Sequence, residues 1–320
     1  MLSRVADSLY WMSRYLERAE HTARVLNVNL HGFLDQKADI VDQRWRRVAA
    51  SLYLPLDADK TPEPYQVAAA MTYDTSVRGS IVNSIVSARL NAREVREQIS
   101  TEMWEQVNRM YLQLLHTEKQ SIWDTDAHAF FQSVRDGAHL FQGISDTTLS
   151  HEEGWQFIQL GRYIERVQSV ARLLQVHVGD HSPSDDVSFA IEQYMEWVGL
   201  LKSCTAFEAY CRLHTASIHP DRAMSFLLLH PAFPHSVHFG IRMILQALAA
   251  LSASIPTLKQ SEGYRLAGKL ASSLQFDPIG DILSDGVQEY LEDIHARCLQ
   301  IHDSIFETCI NYPLSYSLSY

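Results

Sequence analysis

Two short stretches concentrate the charge chemistry of this chain. Arg14, Glu17, Arg18 and Arg24 lie in the first, and Arg162, Glu165, Arg166 and Arg172 lie in the second. A guanidinium donates to a carboxylate or a phosphate at two points, and a glutamate three or four residues along a helix can hold it in place. On a helix, Glu17 sits three residues from Arg14 and seven from Arg24, so one carboxylate can tie neighbouring guanidiniums into a fixed array of donors. Residues 14–26 match residues 162–174 at an offset of 148, with seven of thirteen positions identical. One reading makes these solvated helix pairs worth about 0.2–0.5 kcal/mol each. The other is a pseudo-twofold polar layer where the two helices face one another, either structural or anion-binding. Recurrence of the same charged set in both stretches gives the second reading equal standing.

A second cluster is Arg89, Arg93 and Arg96, which fall on the flank of an apolar helical stripe formed by Ile81, Ile85, Ala88, Ala92, Val95 and Ile99. Three neighbouring guanidiniums repel unless carboxylates or a ligand anion compensate. Phosphate or carboxylate binding is the functional reading; pairing with Glu94, Glu97 or another helix is the structural one. Asn91, Glu102, Trp104 and Asn108 are candidate polar neighbours on the same hairpin.

The chain holds 15 histidines, but a helical di-iron site needs two Glu-x-x-His pairs on facing helices. Only Glu292 with His295 has that spacing. His235 with His238, and His177 with His181, have helical spacing and no completing carboxylates, so no metal and no cofactor is expected. Local signatures of zinc proteases, nucleotide-binding loops and serine hydrolases are absent from the sequence. No catalytic residue can be named.

These residues need long helices to position them. Only 13 glycines and 10 prolines punctuate the chain, and apolar residues recur at three and four. Breaks at 55–64, Gly79, near Gly143, 179–186, 219–220, 231–234, Pro256 and 277–278 divide roughly ten to twelve helices. The expected spans are about 3–31, 37–54, 63–73, 80–99, 101–118, 125–142, 151–177, 186–216, 220–229, 235–254, 260–273 and 279–310. The fold class is therefore all-α, a multi-helix bundle built from pseudo-repeated halves 1–148 and 149–310, followed by a tail at 311–320. In the first repeat helix, Val5, Leu9, Met12, Leu16, Ala19, Ala23 and Leu26 form an apolar side opposite the charged set.

At 320 residues with 46% hydrophobic and 20% charged composition, the chain can bury a large core without staples. A net charge of -11 disfavours nucleic acid and anionic membranes, which reward Lys and Arg. The N-terminus lacks a signal-peptide pattern, and the apolar run at 244–255 is too short for a membrane helix, which needs about 20 residues. Cys204, Cys211, Cys298 and Cys309 contain no CxxC pair and read as reduced. A cytoplasmic protein is expected.

The opening residues 1–20, the segment Ala88–Arg96, residues 99–105, Gly154–Arg166 and Phe226–Ser236 resemble the bacterial Alpha-E family, a helical domain with a Glu-Arg motif. Glu17-Arg18 and Glu165-Arg166 map onto that motif. The chain departs from the family pattern at Leu90, where Glu is usual, and at His235, where Arg is usual, so no role is carried to those positions. The resemblance implies an α-helical fold and companionship with circularly permuted ATP-grasp proteins and transglutaminase-like proteases, hence peptide or amide-bond metabolism. It supplies no catalytic residues.

The expected function is a non-catalytic helical partner, or substrate-presenting protein, of an ATP-grasp-type amide ligase. An enzyme using Glu17, Glu165 or Glu102 as acid–base groups is the first alternative, and a structural scaffold the second.

Overall fold

A computed structural model describes residues 1–30, 38–57, 61–116, 127–178, 187–215 and 217–310. Among them are fourteen α-helices and no strand. They are α1 (Ser3–Leu30), α2 (Ala38–Ser51), α3 (Pro64–Tyr73), α4 (Ile81–Glu94), α5 (Thr101–His116), α6 (Ala127–Thr148) and α7 (Glu153–Val178). Then follow α8 (Val187–Ser203), α9 (Phe207–His214), α10 (Pro220–Leu229), α11 (Val237–Leu251), α12 (Glu262–Phe276), α13 (Ile279–Asp285) and α14 (Val287–Ile305). A 3₁₀ turn at Pro256–Gln260 and a π turn at Phe306–Ile310 complete the set. The expected break at 179–186, His181 and the tail at 311–320 lie outside the described residues, as do residues 58–60 of the expected break at 55–64.

The helix count exceeds ten to twelve because two long expected helices are each split. After α8 the chain turns at Thr205, whose φ is 53°, and the Ala206 amide donates back to the Leu201 carbonyl at 2.7 Å. That six-to-one bond closes a helix end and starts a new one. Gly286, at φ 113°, separates α13 from α14 in a backbone region that L side chains avoid. Conversely, the expected break near Gly143 does not occur. α6 runs on to Thr148, and a mid-helix glycine costs only about 1 kcal/mol. Starts follow local chemistry: the hydroxyls of Ser80, Ser236 and Ser261 accept the amides of Asn83, Phe239 and Tyr264 at the N-termini of α4, α11 and α12.

Helix α1 is the hub. It packs on α4, α6 and α7, while α7 also packs on α11 and α14. One continuous core reaches from Ala6 to Ile305. The polar side expected for α1 faces neighbouring helices, not water: Arg14, Glu17, Glu20 and Arg24 are buried along with Leu9, Met12, Leu16 and Ala23. Contacts between α1 and α7 advance in the same direction, from Met1 with Glu153, through Tyr10 with Gly161, to Glu17 with Arg166, so the two helices run parallel. At their closest approach, a side chain on Gly161 would meet the Tyr10 backbone carbonyl.

Candidate functional site: a crossed Glu/Arg layer

Where α1 and α7 cross, each helix gives its glutamate to the other helix's arginine. Arg18 of α1 binds Glu165 of α7 through Nε at 2.5 Å and Nη2 at 3.0 Å. Reciprocally, Arg166 of α7 binds Glu17 of α1 through Nε at 2.6 Å and Nη2 at 3.0 Å. Both are forks onto both carboxylate oxygens, the strongest geometry for this pair. All four positions belong to the two stretches related by the offset of 148.

The surroundings are less symmetric. Arg14 adds a second guanidinium to Glu165 at 2.8 Å and donates to Gln168 at 3.0 Å. Its counterpart Arg162 reaches no carboxylate within hydrogen-bond distance among the described residues. It donates to Gln142 at 2.6 Å, and Gln142 in turn donates to Glu17 at 3.2 Å. The buried Nε of Arg162 has no hydrogen-bond partner.

Electrostatics follow this imbalance. Burial pushes the Glu165 carboxyl up, but Arg18 and Arg14 outweigh it and bring its pKa down to about 2. Burial opposes the charge of Arg14, Arg18 and Arg166, yet the facing glutamates and nearby tyrosines raise all three. Arg162 moves the other way: burial and the repulsion of Arg166 lower its pKa.

Two histidines on one face of α14 close one edge of the layer. His302 Nδ1 lies 2.8 Å from the Tyr10 hydroxyl and 3.4 Å from Arg14 Nη1. Burial first, then Arg14, lowers the His302 pKa to about 4, so its ring is neutral and Nδ1 accepts. Two turns earlier, His295 Nε2 lies 3.4 Å from the Tyr53 hydroxyl, and the Tyr53 ring stacks on the guanidinium of Arg172 at 5.1 Å. Arg172 itself donates to the Ala50 carbonyl and to Gln175, so it stands outside the crossed pairs.

Arg24 also stands outside them. It pairs with Glu20, one turn back on α1, and that carboxylate faces His139 Nε2 at 3.4 Å. Burial raises the Glu20 pKa, but the His139 hydrogen bond, Arg24 and His235 together lower it. His21 and His235, whose pKa values burial chiefly lowers, sit within the same electrostatic neighbourhood.

The structure does not bring the second arginine cluster to this layer. On α4, Arg89 lies between the Trp104 and Tyr111 rings of α5, at 5.6 and 4.3 Å, and donates to Asn108 at 2.8 Å. Arg93 is exposed beside Glu94 at 3.8 Å. Arg96, beyond the end of α4, donates to Thr101 at 3.4 Å and lies over Trp104 at 5.9 Å. Glu102 is exposed in the first turn of α5.

Sequence reasoning missed Glu20, Gln142, His139, Tyr53, His295 and His302 as members of the layer or its edges. Glu20 and Gln168 do occupy matching positions of the repeat, which was a usable signal. The others come from distant helices with no local pattern. A further cross-helix set was missed: Arg44 of α2 binds Glu196 of α8 at 2.6 and 2.9 Å, and Arg47 binds it at 3.1 Å. They border a cavity of about 240 Å³. Among the described residues, no three His, Cys, Asp or Glu side chains gather as a metal site.

Fold and site together define a helical bundle organised around reciprocal Glu-Arg pairs. A family model described as Alpha-E, "a predicted alpha-helical domain with a conserved ER motif", matches residues 1–309. The chain belongs to the Alpha-E family. It is similar to uncharacterized proteins of Mycobacterium bovis and Mycobacterium tuberculosis, at 24% identity over 339 aligned residues. That match covers 97% of this chain and 37% of each relative, so the chain spans little more than a third of their length. No solved structure matches. Among the described residues, no helix is long and apolar enough to cross a membrane.

Proposed function

We propose that this chain is a non-catalytic cytoplasmic partner of an ATP-grasp-type amide or peptide ligase, working beside a transglutaminase-like protease, and that it presents an anionic, peptide-like substrate. The observation that carries this reading is the charge balance of the layer. Arg14, Arg18, Arg162 and Arg166 share only Glu17 and Glu165 as hydrogen-bonded carboxylates. An enclosed guanidinium without a carboxylate is costly unless an anion completes it. This surplus sits in a chain of net charge -11, so it is a local feature and not a general basic surface.

Two further considerations support the reading. The family resemblance implies companionship with ATP-grasp and transglutaminase-like proteins. The mycobacterial relatives carry the matching region within much longer chains; a domain joined to other sequence in one chain commonly works with the equivalent parts as separate chains elsewhere.

Catalysis by the layer itself draws less support. Both oxygens of Glu17 and of Glu165 are engaged by guanidiniums, and Glu165, with its pKa near 2, is a weak base and no acid at neutral pH. The test is to purify the tagged protein under native conditions and identify its companions. Recovery of an ATP-grasp ligase in fixed ratio supports the partner reading, while turnover of a peptidic substrate by the solitary protein overturns it.

A further inference from the structure

Tyr53 occupies a position where its side chain is disfavoured. Helix α2 ends with the Leu54 amide donating to the Ala49 carbonyl at 2.9 Å, the six-to-one closure in which the residue before the donor takes the left-handed conformation. Tyr53 takes it with φ 56°. Glycine is the usual occupant, because a Cβ there crowds the following carbonyl. A bulky aromatic at this point is a conformational outlier, and such outliers cluster where a side chain serves binding.

The ring does not bury itself in return. Tyr53 is 59% exposed. Beneath it the Arg172 guanidinium lies 5.1 Å from the ring centroid, held by the Ala50 carbonyl and Gln175. Among the described residues, no carboxylate binds Arg172. Its neighbour Gln175 also donates to Glu292 at 3.2 Å, which keeps that acid one residue removed from the guanidinium. On the far side of the ring's hydroxyl stands His295, whose buried Nδ1 has no hydrogen-bond partner. Deeper in, Arg18 spends Nε and Nη2 on Glu165, and a quarter of its side chain reaches solvent. Burial chiefly raises the pKa of the Tyr53 hydroxyl, Arg172 and Arg18 lower it, and Glu165 opposes them.

We propose that Tyr53, Arg172 and His295, backed by Arg18, form a recognition site at the open edge of the crossed layer for a carboxylate on a peptide-like chain. The parts divide the work. Arg172 and Arg18 supply the positive charge, and guanidinium geometry matches a planar carboxylate. The Tyr53 hydroxyl, positioned by His295 Nε2, supplies a directional hydrogen bond, and the exposed Tyr53 face gives the adjoining chain an apolar surface. This inference rests on the substrate-presenting reading and narrows it to a carboxylate group and one edge of the layer.

The test uses the full purified chain at low salt, titrated calorimetrically with tri-glutamate, with tri-glutamine, and with inorganic phosphate. Tri-glutamate is expected to bind, tri-glutamine is not, and phosphate is expected to compete poorly. The decisive variant is Tyr53→Gly, which relieves the left-handed backbone: its melting temperature is expected to stay level or rise while tri-glutamate affinity falls at least tenfold. Arg172→Met should lose affinity similarly, with melting monitored because Arg172 also holds the end of α2. Absence of tri-glutamate binding, equal binding of phosphate, or unchanged affinity in Tyr53→Gly overturns the site. A ligase that still accompanies a chain unable to bind tri-glutamate would leave the partner reading standing without this site. Binding without any ligase would do the reverse.

Discussion

The carbonyl oxygen of Tyr10 occupies the space that a Cβ on Gly161 would need. The close approach of α1 and α7 that this permits lets Arg18 and Arg166 reach across to opposite glutamates. Gly161→Ala places a methyl against backbone, which cannot swing aside, so the helices must part. A loss of about 2 kcal/mol or more is expected in urea unfolding. Gly143→Ala, at a mid-helix position with no neighbour within 4 Å, should instead stabilise by about 1 kcal/mol and serves as the control.

Arg162 and Arg166 occupy one helix but predict opposite outcomes. Arg166→Met strands the buried Glu17 carboxylate and should cost about 3–5 kcal/mol. Arg162→Met removes a cation that has no carboxylate of its own, and should be neutral or stabilising by chemical denaturation. If the two variants lose equal stability, the charge surplus assigned to the layer is wrong.

Acid should weaken the fold in two windows. The Glu165 carboxyl falls from the ordinary 4.5 to about 2 on folding. Its stabilisation is complete above about pH 4.5 and disappears as pH drops through 2, a swing of about 3 kcal/mol. His302 falls from 6.5 to about 4, because its site opposes the charged ring. The unfolded chain therefore takes up that proton first, and stability declines between pH 6.5 and 4. Unfolding free energies measured across pH 2–8 should show both slopes, and His302→Gln should shrink the upper one, to which His21, His235 and His295, also lowered by burial, contribute, and leave the lower one unchanged.

On the separate α4–α5 surface, Arg89 stacks between Trp104 and Tyr111 while Arg93 projects to solvent. Arg89→Ala should cost about 1 kcal/mol and Arg93→Ala close to nothing, by thermal unfolding. Equal effects would mean that the ring contacts contribute no stability.

The thiols offer a check on packing. Burial pushes Cys204 and Cys298 up to about 12. Both should resist iodoacetamide at pH 8 in the native protein and react promptly in urea. Half-buried Cys211 should label first.

What the sequence determined by itself was the helical class and most helix limits, because helical periodicity is a local signal. The expected starts at 80, 235 and 260 fall within a residue of Ser80, Ser236 and Ser261, whose capping hydroxyls only the structure showed. The tertiary structure decided the rest. Arg18 pairs with Glu165 and not with Glu17 beside it, because the close crossing at Gly161 makes the neighbouring helix the nearer source of a correctly oriented carboxylate. The charged side of α1, expected opposite an apolar side, is buried for the same reason. Gln142, Tyr53, His295 and His302 joined the layer from α6, from the end of α2 and from α14, positions that no spacing along the chain connects to it. Pairing across helices depends on where side chains end up in space, and a sequence read in order records only which neighbours share a turn.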